Sequence, residues 1–154
     1  MRSERSAMPR NKLLRVIIDT NLWISFIISK RFNTLDPIFQ SSNIRVLFNI
    51  ELIEEIRATV EKPKLKKHFD SKAVGEMLLT FESMIELIQV KSKVQVCRDS
   101  KDDFLLSLSK DGKAHFLITG DKDLLSLNRF RKTDIVTFSQ FIKALEGAKA
   151  PTID

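Results

Sequence analysis

The sequence contains little cysteine, glycine, proline and histidine: one, four, four and two residues, respectively, among 154. The single cysteine, Cys97, excludes an internal disulfide and a cysteine-rich zinc site. The few glycines and prolines argue against long flexible linkers. His68 and His115 are too few and too far apart in the sequence to predict a histidine-based metal site. Neither a P-loop nor a dinucleotide-binding glycine motif is present.

No hydrophobic run indicates a membrane span or a leader peptide. The apolar stretch at 13–28 follows basic residues, but Arg15, Asp19 and Asn21 interrupt it and no small-residue cleavage site follows. We therefore predict no membrane association and, with a single cysteine, a cytoplasmic location. The length fits one domain, predicted at residues 13–147, between a loose basic segment at 1–12 and a tail at 148–154.

Positive charge predominates, with 26 Lys and Arg residues against 20 Asp and Glu residues and a net charge of +6. A basic protein is attracted to polyanions, of which nucleic acid is the commonest, although a basic surface can also serve solubility alone. Basic residues concentrate at 2–15 and 62–67, whereas acidic residues outside the helices cluster at 99–103 and 121–123. This pattern predicts RNA phosphate contacts, or simply a solvated turn, at Lys62, Lys64, Lys66 and Lys67.

Short apolar runs alternate with amphipathic segments along the chain. The runs predict strands at 15–18, 45–48, 116–118 and 135–136, and a further short strand at 94–97. Apolar residues at intervals of three and four predict helices at 49–61, 71–88, 103–110 and 139–146. Strands that alternate with helices indicate an α/β fold in which helices cover both faces of a parallel sheet.

Two aspartates follow the most apolar strands. Asp19 comes directly after the run 15–18, and Asp121 follows the run 116–118 after two intervening residues. Ligands of open parallel sheets bind beyond the carboxyl ends of the strands, and neighbouring strands lie about 5 Å apart. If these strands are neighbours, the two carboxylates converge, and such a pair needs a shared proton or cation. Oxygen ligands without cysteine or histidine favour Mg²⁺ or Mn²⁺.

Each acidic residue also has an ordinary structural interpretation. An aspartate after a strand is more often a helix cap or a turn residue than a metal ligand. Asp99 and Asp102 can cap the helix that begins at 103, and Glu55 can be a solvated helix residue with which Glu54 competes. These interpretations leave unexplained why several acidic residues fall where a parallel sheet brings its strand ends together.

The most specific signals are four short segments in a fixed order. They read Val16-Ile17-Ile18-Asp19-Thr20-Asn21, then Glu51-Leu52-Ile53-Glu54-Glu55-Ile56, then Asp99-Ser100-Lys101-Asp102-Asp103, and finally Thr119-Gly120-Asp121-Lys122-Asp123-Leu124-Leu125. In order and spacing they resemble the PIN-domain family, especially its small prokaryotic members that are toxins of toxin–antitoxin pairs. The resemblance covers nearly the whole chain, and the last segment is its most specific part.

This resemblance implies a fold, a site and partners. The implied fold has three layers, with a central parallel sheet of four to five strands flanked by helices. The implied activity is metal-dependent cleavage of RNA with Mg²⁺ or Mn²⁺, by a homodimer that an antitoxin blocks by inserting a segment into the cleft. The implied catalytic acids are Asp19, Glu55, Asp102 and Asp121. The implied metal ligands are Asp19, Asp102, Asp121 and the accessory Asp123, and the residues that orient the carboxylates are Thr20, Asn21 and Thr119.

Departures from the family pattern leave one assignment open. Ser100 stands where proline is common and Asp103 where asparagine is frequent, so that either Asp102 or Asp103 could face the site; the motif spacing favours Asp102. We predict a metal-dependent ribonuclease that is the toxin of a type II toxin–antitoxin system. The alternatives are a catalytically inactive PIN-fold module for RNA binding or protein interaction, and another class of carboxylate–metal enzyme, such as a phosphatase.

Overall fold

The chain alternates strands and helices as an α/β fold requires. A computed structural model describes residues 13–29, 32–70, 72–97 and 100–149. The strands are β1 (Leu14–Ile18), β2 (Ile44–Phe48), β3 (Ile85–Leu87), β4 (Phe116–Ile118), β5 (Arg129–Phe130) and β6 (Thr133–Val136). The helices are α1 (Thr20–Ile28), α2 (Phe32–Ser41), α3 (Ile50–Val60), α4 (Pro63–Lys66), α5 (Ala73–Thr80), α6 (Ser100–Asp111), α7 (Lys122–Leu125) and α8 (Phe138–Lys149). A 3₁₀ turn covers Glu82–Met84.

The described strands form one six-stranded sheet in the order β3-β2-β1-β4-β6-β5. Neighbouring strands are parallel, except that β5 pairs antiparallel with β6. The predicted α/β fold, with a central and mostly parallel sheet flanked by helices, is therefore confirmed. The predicted number of four to five strands is wrong, because β3 lies within a pattern that fits a helical period and the two-residue β5 contains no apolar run.

Aromatic side chains fill much of the core. Trp23 of α1 is fully buried and stacks on Phe48 of β2, with ring centroids 5.3 Å apart. Phe81, at the end of α5, contacts Trp23 and also Phe39 of α2, at centroid distances of 5.5 and 5.8 Å. Buried aromatic rings contribute large apolar areas and prefer such stacked and edge-on contacts. This cluster fixes α1 against the sheet and with it the end of β1.

The helix predicted at 71–88 is wrong beyond Thr80, where α5 ends. The apolar residues that follow fit a helical period of three and four, but they lie in a 3₁₀ turn and in the edge strand β3. Long-range contacts favour the strand. The N–H of Ile88 donates to the carbonyl of Phe48 at 2.8 Å, and Glu86 forms an ion pair with a residue of β1, two strands away.

The strand predicted at 94–97 is also wrong. Residues 91–97 pair with no strand of the described residues, and side chains of α6 bind their N–H groups instead. The basic segment predicted at 1–12 and most of the tail predicted at 148–154 lie outside the described residues, so that the division of the chain stays a prediction. Within the described ranges, none of the helices is long and apolar enough to cross a membrane.

Candidate active site

The pairing of β1 with β4 brings two aspartates to the same edge of the sheet. Ile18 lies beside Ile118 in the parallel register, and the N–H of Asp19 donates to the carbonyl of Ile118 at 3.0 Å. The chain then enters α1 after Asp19 and α7 after Asp121. The condition under which the two carboxylates converge, that these strands are neighbours, is therefore met. Both carboxylates lie beyond the carboxyl ends of the central strands, where open sheets bind ligands.

Asp19 is a buried carboxylate, only 8% exposed. Its side chain does not cap α1, and the Thr119 hydroxyl donates to its Oδ2 at 2.6 Å. Burial raises the pKa of Asp19 above its ordinary value, despite the lowering effects of Thr119 and of the amides of Asn21 and Thr20, and the negative charge of Asp121 raises it further. The ionised form of Asp19 is therefore energetically unfavourable in the metal-free protein, and a bound cation would stabilise it.

Asp121 is oriented by the helix that follows it. Its Oδ1 accepts hydrogen bonds from the N–H groups of Asp123 and Leu124, at 2.8 and 3.3 Å, and so caps α7. Its own N–H donates to the Thr119 hydroxyl at 3.0 Å. Thr119 thus links the two aspartates through its hydroxyl group. The ordinary interpretation of Asp121 as a helix cap is correct, and capping occupies one of its two oxygens.

Glu55 of α3 reaches the same edge of the sheet through a hydrogen bond to the first residue of α1. Asn49 fixes the start of α3 by accepting the N–H of Leu52 at 2.9 Å. Further along α3, Glu55 is half-buried, and its Oε2 accepts a hydrogen bond at 2.8 Å from the hydroxyl of Thr20, the residue after Asp19. Glu54 is exposed. Of the two adjacent glutamates, Glu55 is therefore the one that faces the end of β1.

Asp102 and Asp103 both lie in the first turn of α6. The Oδ1 atom of Asp103 accepts the N–H groups of Val96 and Cys97 at 3.0 and 2.8 Å. The amide of Cys97 is the main reason why the pKa of Asp103 lies below its ordinary value. Consecutive helical residues point about 100° apart. Asp103 therefore faces the preceding segment, which leaves Asp102 as the residue of this pair that can face the site.

Cys97 lies among these acidic side chains. Burial raises the pKa of its thiol to about 12, and the carboxylate of Asp103 and the charges of Asp102 and Asp121 add to the increase. Asp102 and Asp121 are therefore both close enough to Cys97 for their charges to act on its thiol. The sequence predicts only a core thiol here, since no local pattern connects a cysteine to acids on two later helices.

The remaining predicted site residues lie at the surface. Asp123 is exposed in the first turn of α7, and Asn21 is exposed on α1, so that its amide rather than its side chain is the part near Asp19. The four predicted phosphate-binding lysines are exposed around α4, beyond the end of α3. Lys66 forms an ion pair with Glu61 at 3.7 Å. The structure therefore links Asp19 to Asp121 through Thr119 and holds Glu55 on the hydroxyl of Thr20. Asp102 lies near Cys97, whose thiol its charge and that of Asp121 both affect. The side chains of Asn21, Asp123 and the four lysines are exposed and make none of these contacts.

Known proteins are similar to this chain in sequence and in fold. Residues 15–123 match the family model described as the PIN domain. The chain belongs to the PIN-domain family. The matched range contains the four predicted catalytic acids, Asp19, Glu55, Asp102 and Asp121. PIN domains are generally nucleases, and PIN-domain nucleases typically use divalent metals.

Two further proteins resemble this PIN domain. The uncharacterized protein MJ1680 of Methanocaldococcus jannaschii is 30% identical over 145 residues, covering 86% of this chain and 92% of the relative. The fold is similar to that of a chain in the crystal structure of VapBC2 from Rickettsia felis bound to a DNA fragment from their promoter. That match has a TM-score of 0.51 and 16% identity, and it covers 79% of this chain and 97% of that chain. At this identity, the likeness shows the fold alone.

The oxygen donors of the PIN domain suit a hard divalent cation. Among the residues that the structure describes, no three acidic, histidine or cysteine side chains converge as a complete metal-binding group. Mg²⁺ does not require such a group, because it keeps several waters and commonly binds through one or two carboxylates. The buried Asp19 beside Asp121 supplies such a pair. Its chemistry therefore fits Mg²⁺ or Mn²⁺ better than a metal that prefers sulfur or nitrogen ligands.

Proposed function

We propose that this PIN domain is an endoribonuclease that hydrolyses RNA phosphodiester bonds with Mg²⁺ or Mn²⁺. The main support for this proposal is the pair of aspartates beyond the ends of β1 and β4. Burial raises the pKa of Asp19 and the negative charge of Asp121 adds to the increase, yet neither aspartate forms an ion pair with a basic residue of the described ranges. Costly, like-charged groups of this kind concentrate at functional sites, and a divalent cation would relieve their repulsion.

In this proposal, Asp19 and Asp121 are the principal metal ligands. Thr119 orients both of them, since its hydroxyl donates to Oδ2 of Asp19 at 2.6 Å and accepts the N–H of Asp121 at 3.0 Å. The amides of α7 hold Oδ1 of Asp121. The ligands are therefore oriented before a substrate arrives, and such preorganisation avoids a cost at the moment of reaction.

Asp102 of α6 and Glu55 of α3 complete the proposed site. Asp123 is an accessory acid. A bound divalent metal supplies a water of lowered pKa and stabilises charge on the phosphate. Glu55, fixed by the Thr20 hydroxyl at 2.8 Å, is positioned to hold the attacking water or to accept its proton. The lysines around α4 contact RNA phosphates outside the acidic region, where such contacts position a nucleic acid without reading its sequence.

The same proposal makes the protein the toxin of a type II toxin–antitoxin system, active in the cytoplasm as a homodimer. Its support is the family together with the similarity in fold to a chain of VapBC2, a toxin–antitoxin complex. An antitoxin that inserts a segment at the acidic edge would exclude the metal or the RNA. Expression of this protein alone should then arrest growth, and co-expression of the small protein encoded beside it should restore growth. Normal growth of cells that express active protein alone would contradict the toxin role.

The nuclease activity is tested by incubating a mixed RNA pool with the wild type and with Asp121→Asn, with and without Mn²⁺. An asparagine oxygen can still accept the two amides of α7, so that the variant keeps the cap and loses one ligand charge. We expect metal-dependent cleavage by the wild type and a cleavage rate at least about 100-fold lower in the variant. Even residues that only hydrogen-bond to metal ligands change activity by about 10–100-fold.

Glu82→Gln provides the matched control. It also removes one carboxylate charge, but from an exposed side chain before the amino end of β3, at the opposite end of the sheet. We expect this variant to cleave like the wild type. Mn²⁺ binding without cleavage of any RNA would instead favour a catalytically inactive module for RNA binding or protein interaction. Equal cleavage by the wild type and Asp121→Asn would contradict the proposed site.

A further inference from the structure

Residues 91–97, called the strap here, lie along α6 and are held by side chains of that helix. The N–H groups of the first two strap residues donate to Oδ2 of Asp111 at 2.6 and 2.7 Å. The N–H of Val94 donates to the hydroxyl oxygen of Ser107 at 3.0 Å. The N–H groups of the last two strap residues donate to Oδ1 of Asp103 at 3.0 and 2.8 Å. Five backbone donors are thus bound by three side chains.

The spacing of donors and acceptors explains this arrangement. Asp103, Ser107 and Asp111 are four residues apart, which places them on one face of α6 at intervals of about 6 Å. In an extended chain, every second N–H points the same way, at intervals of about 6.6 Å. The strap can therefore run antiparallel to α6 and meet the three acceptors in turn. These side chains take the place of a neighbouring strand, because backbone N–H groups require partners.

Two of the three acceptors are charged. The Ser92 hydroxyl is the main cause that lowers the pKa of Asp111, as the Cys97 amide is for Asp103. Both carboxylates therefore remain ionised at neutral pH, and hydrogen bonds to ionised groups are about twice as strong as neutral ones. Val94 and Cys97 of the strap are also partly buried against the hydrophobic core. The strap is thus fixed both to α6 and to the body of the domain.

We propose that Asp103, Ser107 and Asp111 are positioning residues of the active site. By holding the strap on α6 they set the rotation of its first turn, so that Asp103 faces the strap and Asp102 faces the region shared with Asp121. Asp103 is then bound to the backbone and is not a metal ligand, although it is adjacent to one. This inference rests on the proposed nuclease function, and it assigns different roles to two adjacent acids.

The test compares three variants in which the two acids are changed separately. Asp103→Ala removes the acceptor, Asp103→Asn keeps an oxygen that can accept both amides, and Asp102→Asn removes a charge from the proposed site. For each variant we would measure RNA cleavage, Mn²⁺ affinity and hydrogen exchange of the strap amides. Ser107→Ala, which removes only the middle acceptor, is added in case Asp103→Ala fails to fold, and it should increase exchange at Val94.

We expect Asp103→Ala to lower kcat/KM by about tenfold or more, in line with other residues that orient ligands, and to increase exchange at the amides of Val96 and Cys97. Asp103→Asn should keep most of the wild-type kcat/KM and most of the slow exchange at the amides of Val96 and Cys97. Asp102→Asn should lose cleavage and bind Mn²⁺ more weakly, with strap exchange unchanged. This separation of effects distinguishes a positioning residue from a ligand.

Two results would overturn the positioning role. One is a loss of cleavage and Mn²⁺ affinity in Asp103→Asn as large as that in Asp102→Asn, which would make Asp103 a ligand. The other is unchanged exchange of the strap amides in both Asp103→Ala and Ser107→Ala. A wild-type protein that cleaves no RNA would count against the proposed function alone, because exchange and Mn²⁺ affinity still decide whether Asp103 positions the site.

Discussion

The two ends of the parallel sheet differ in how their charges are satisfied. At the amino end, Arg15 donates to both carboxylate oxygens of Glu86, at 3.0 and 2.7 Å, and to the carbonyl of Gly112 at 2.7 Å. At the carboxyl end, Asp19 is buried beside Asp121, and neither has an ion-pair partner among the described residues. Opposite charges are paired at one end, and like charges are brought together at the other.

This difference separates stability from function within one small fold. The contacts of Arg15 and Glu86 join β1 to the edge strand β3 and should contribute to folding. The aspartates at the other end should lower the stability of the protein in the absence of metal, because burial and like charge both disfavour ionised Asp19. We therefore expect substitutions at the two ends to change stability in opposite directions, and only those at the carboxyl end to abolish activity.

The largest effect is expected for Asp19→Asn. Cleavage should fall by at least about 100-fold through the loss of a ligand charge, while the thermal midpoint of the metal-free protein should rise because a buried charge is removed. Both are measurable on one preparation, by RNA cleavage and by scanning calorimetry. Glu82→Gln is again the control, with neither property changed. Full cleavage by Asp19→Asn, or a thermal midpoint below that of the wild type, would contradict the proposed difference between the two ends of the sheet.

The gain in stability should depend on pH in a defined direction. Because burial holds the pKa of folded Asp19 above its ordinary value of 3.8, the folded state binds a proton that the unfolded state has lost. The wild type should therefore lose stability relative to Asp19→Asn as the pH rises from about 4 through the folded pKa. If the unfolding free energies of the two proteins changed with pH in parallel, the surroundings of Asp19 would not disfavour its ionised form.

A large loss of stability is expected at the amino end from Gly112→Ala. An added Cβ would lie 2.8 Å from Cδ1 of Leu47 and 2.9 Å from the backbone oxygen of Leu108, so the chain must shift. Overpacking of this kind costs about 1–3 kcal/mol, measurable by urea unfolding. Gly75→Ala in α5 is the control, because nothing lies within 4 Å of its added Cβ. The control should be neutral or stabilising, and equal effects at both glycines would contradict the close packing of Gly112.

A smaller loss is expected from Glu86→Gln, of about 1 kcal/mol or less, because the Glu86 side chain is 39% exposed and its ion pair is partly screened. Hydrogen bonding to Arg15 holds the pKa of Glu86 below its ordinary value of 4.5. The stabilisation is therefore present above that pH and is lost as the pH falls through the folded pKa. The difference in unfolding free energy between wild type and variant should vanish in acid, and one that grows in acid would contradict the pairing.

The smallest effect on stability is expected for Lys66→Gln. Both partners of its ion pair with Glu61 are mostly exposed, so that the change should stay within about 0.5 kcal/mol. RNA binding should nevertheless weaken, and the slope of log K against log salt concentration should decrease by about one, the value for a single phosphate contact. Lys143→Gln, exposed on α8, is the control. The same salt slope in both variants would leave the basic segment at 62–67 without a role in RNA binding.

The sequence predicts the parts of this structure that depend on local pattern. Buried strands without alternation predict β1, β2 and β4, and the parallel arrangement then predicts that Asp19 and Asp121 share an edge. Asn49 and the apolar face of α3 predict that helix to within one residue at each end. These features follow from strand hydrophobicity, helical period and capping, which are all readable along the chain.

The parts that the sequence does not predict depend on contacts between distant residues. β3 was hidden in an apparently helical pattern, because its ion pair with β1 and its pairing with β2 are invisible in one dimension. The sequence predicts a strand at 94–97, within the strap, because an extended chain held by side chains of α6 has the same local pattern as one held by a neighbouring strand. The roles of the adjacent Asp102 and Asp103 likewise depend on which of them the strap contacts.

If the carboxylates beyond β1 and β4 form one metal-binding site, a change to Asp19 must weaken metal binding. A Mn²⁺ titration followed by electron paramagnetic resonance would measure this on the wild type, Asp19→Asn and Glu82→Gln. We expect equal Mn²⁺ affinity for the wild type and Glu82→Gln, and an affinity at least about tenfold lower for Asp19→Asn. Mn²⁺ binding by Asp19→Asn with the affinity of the wild type would contradict the claim.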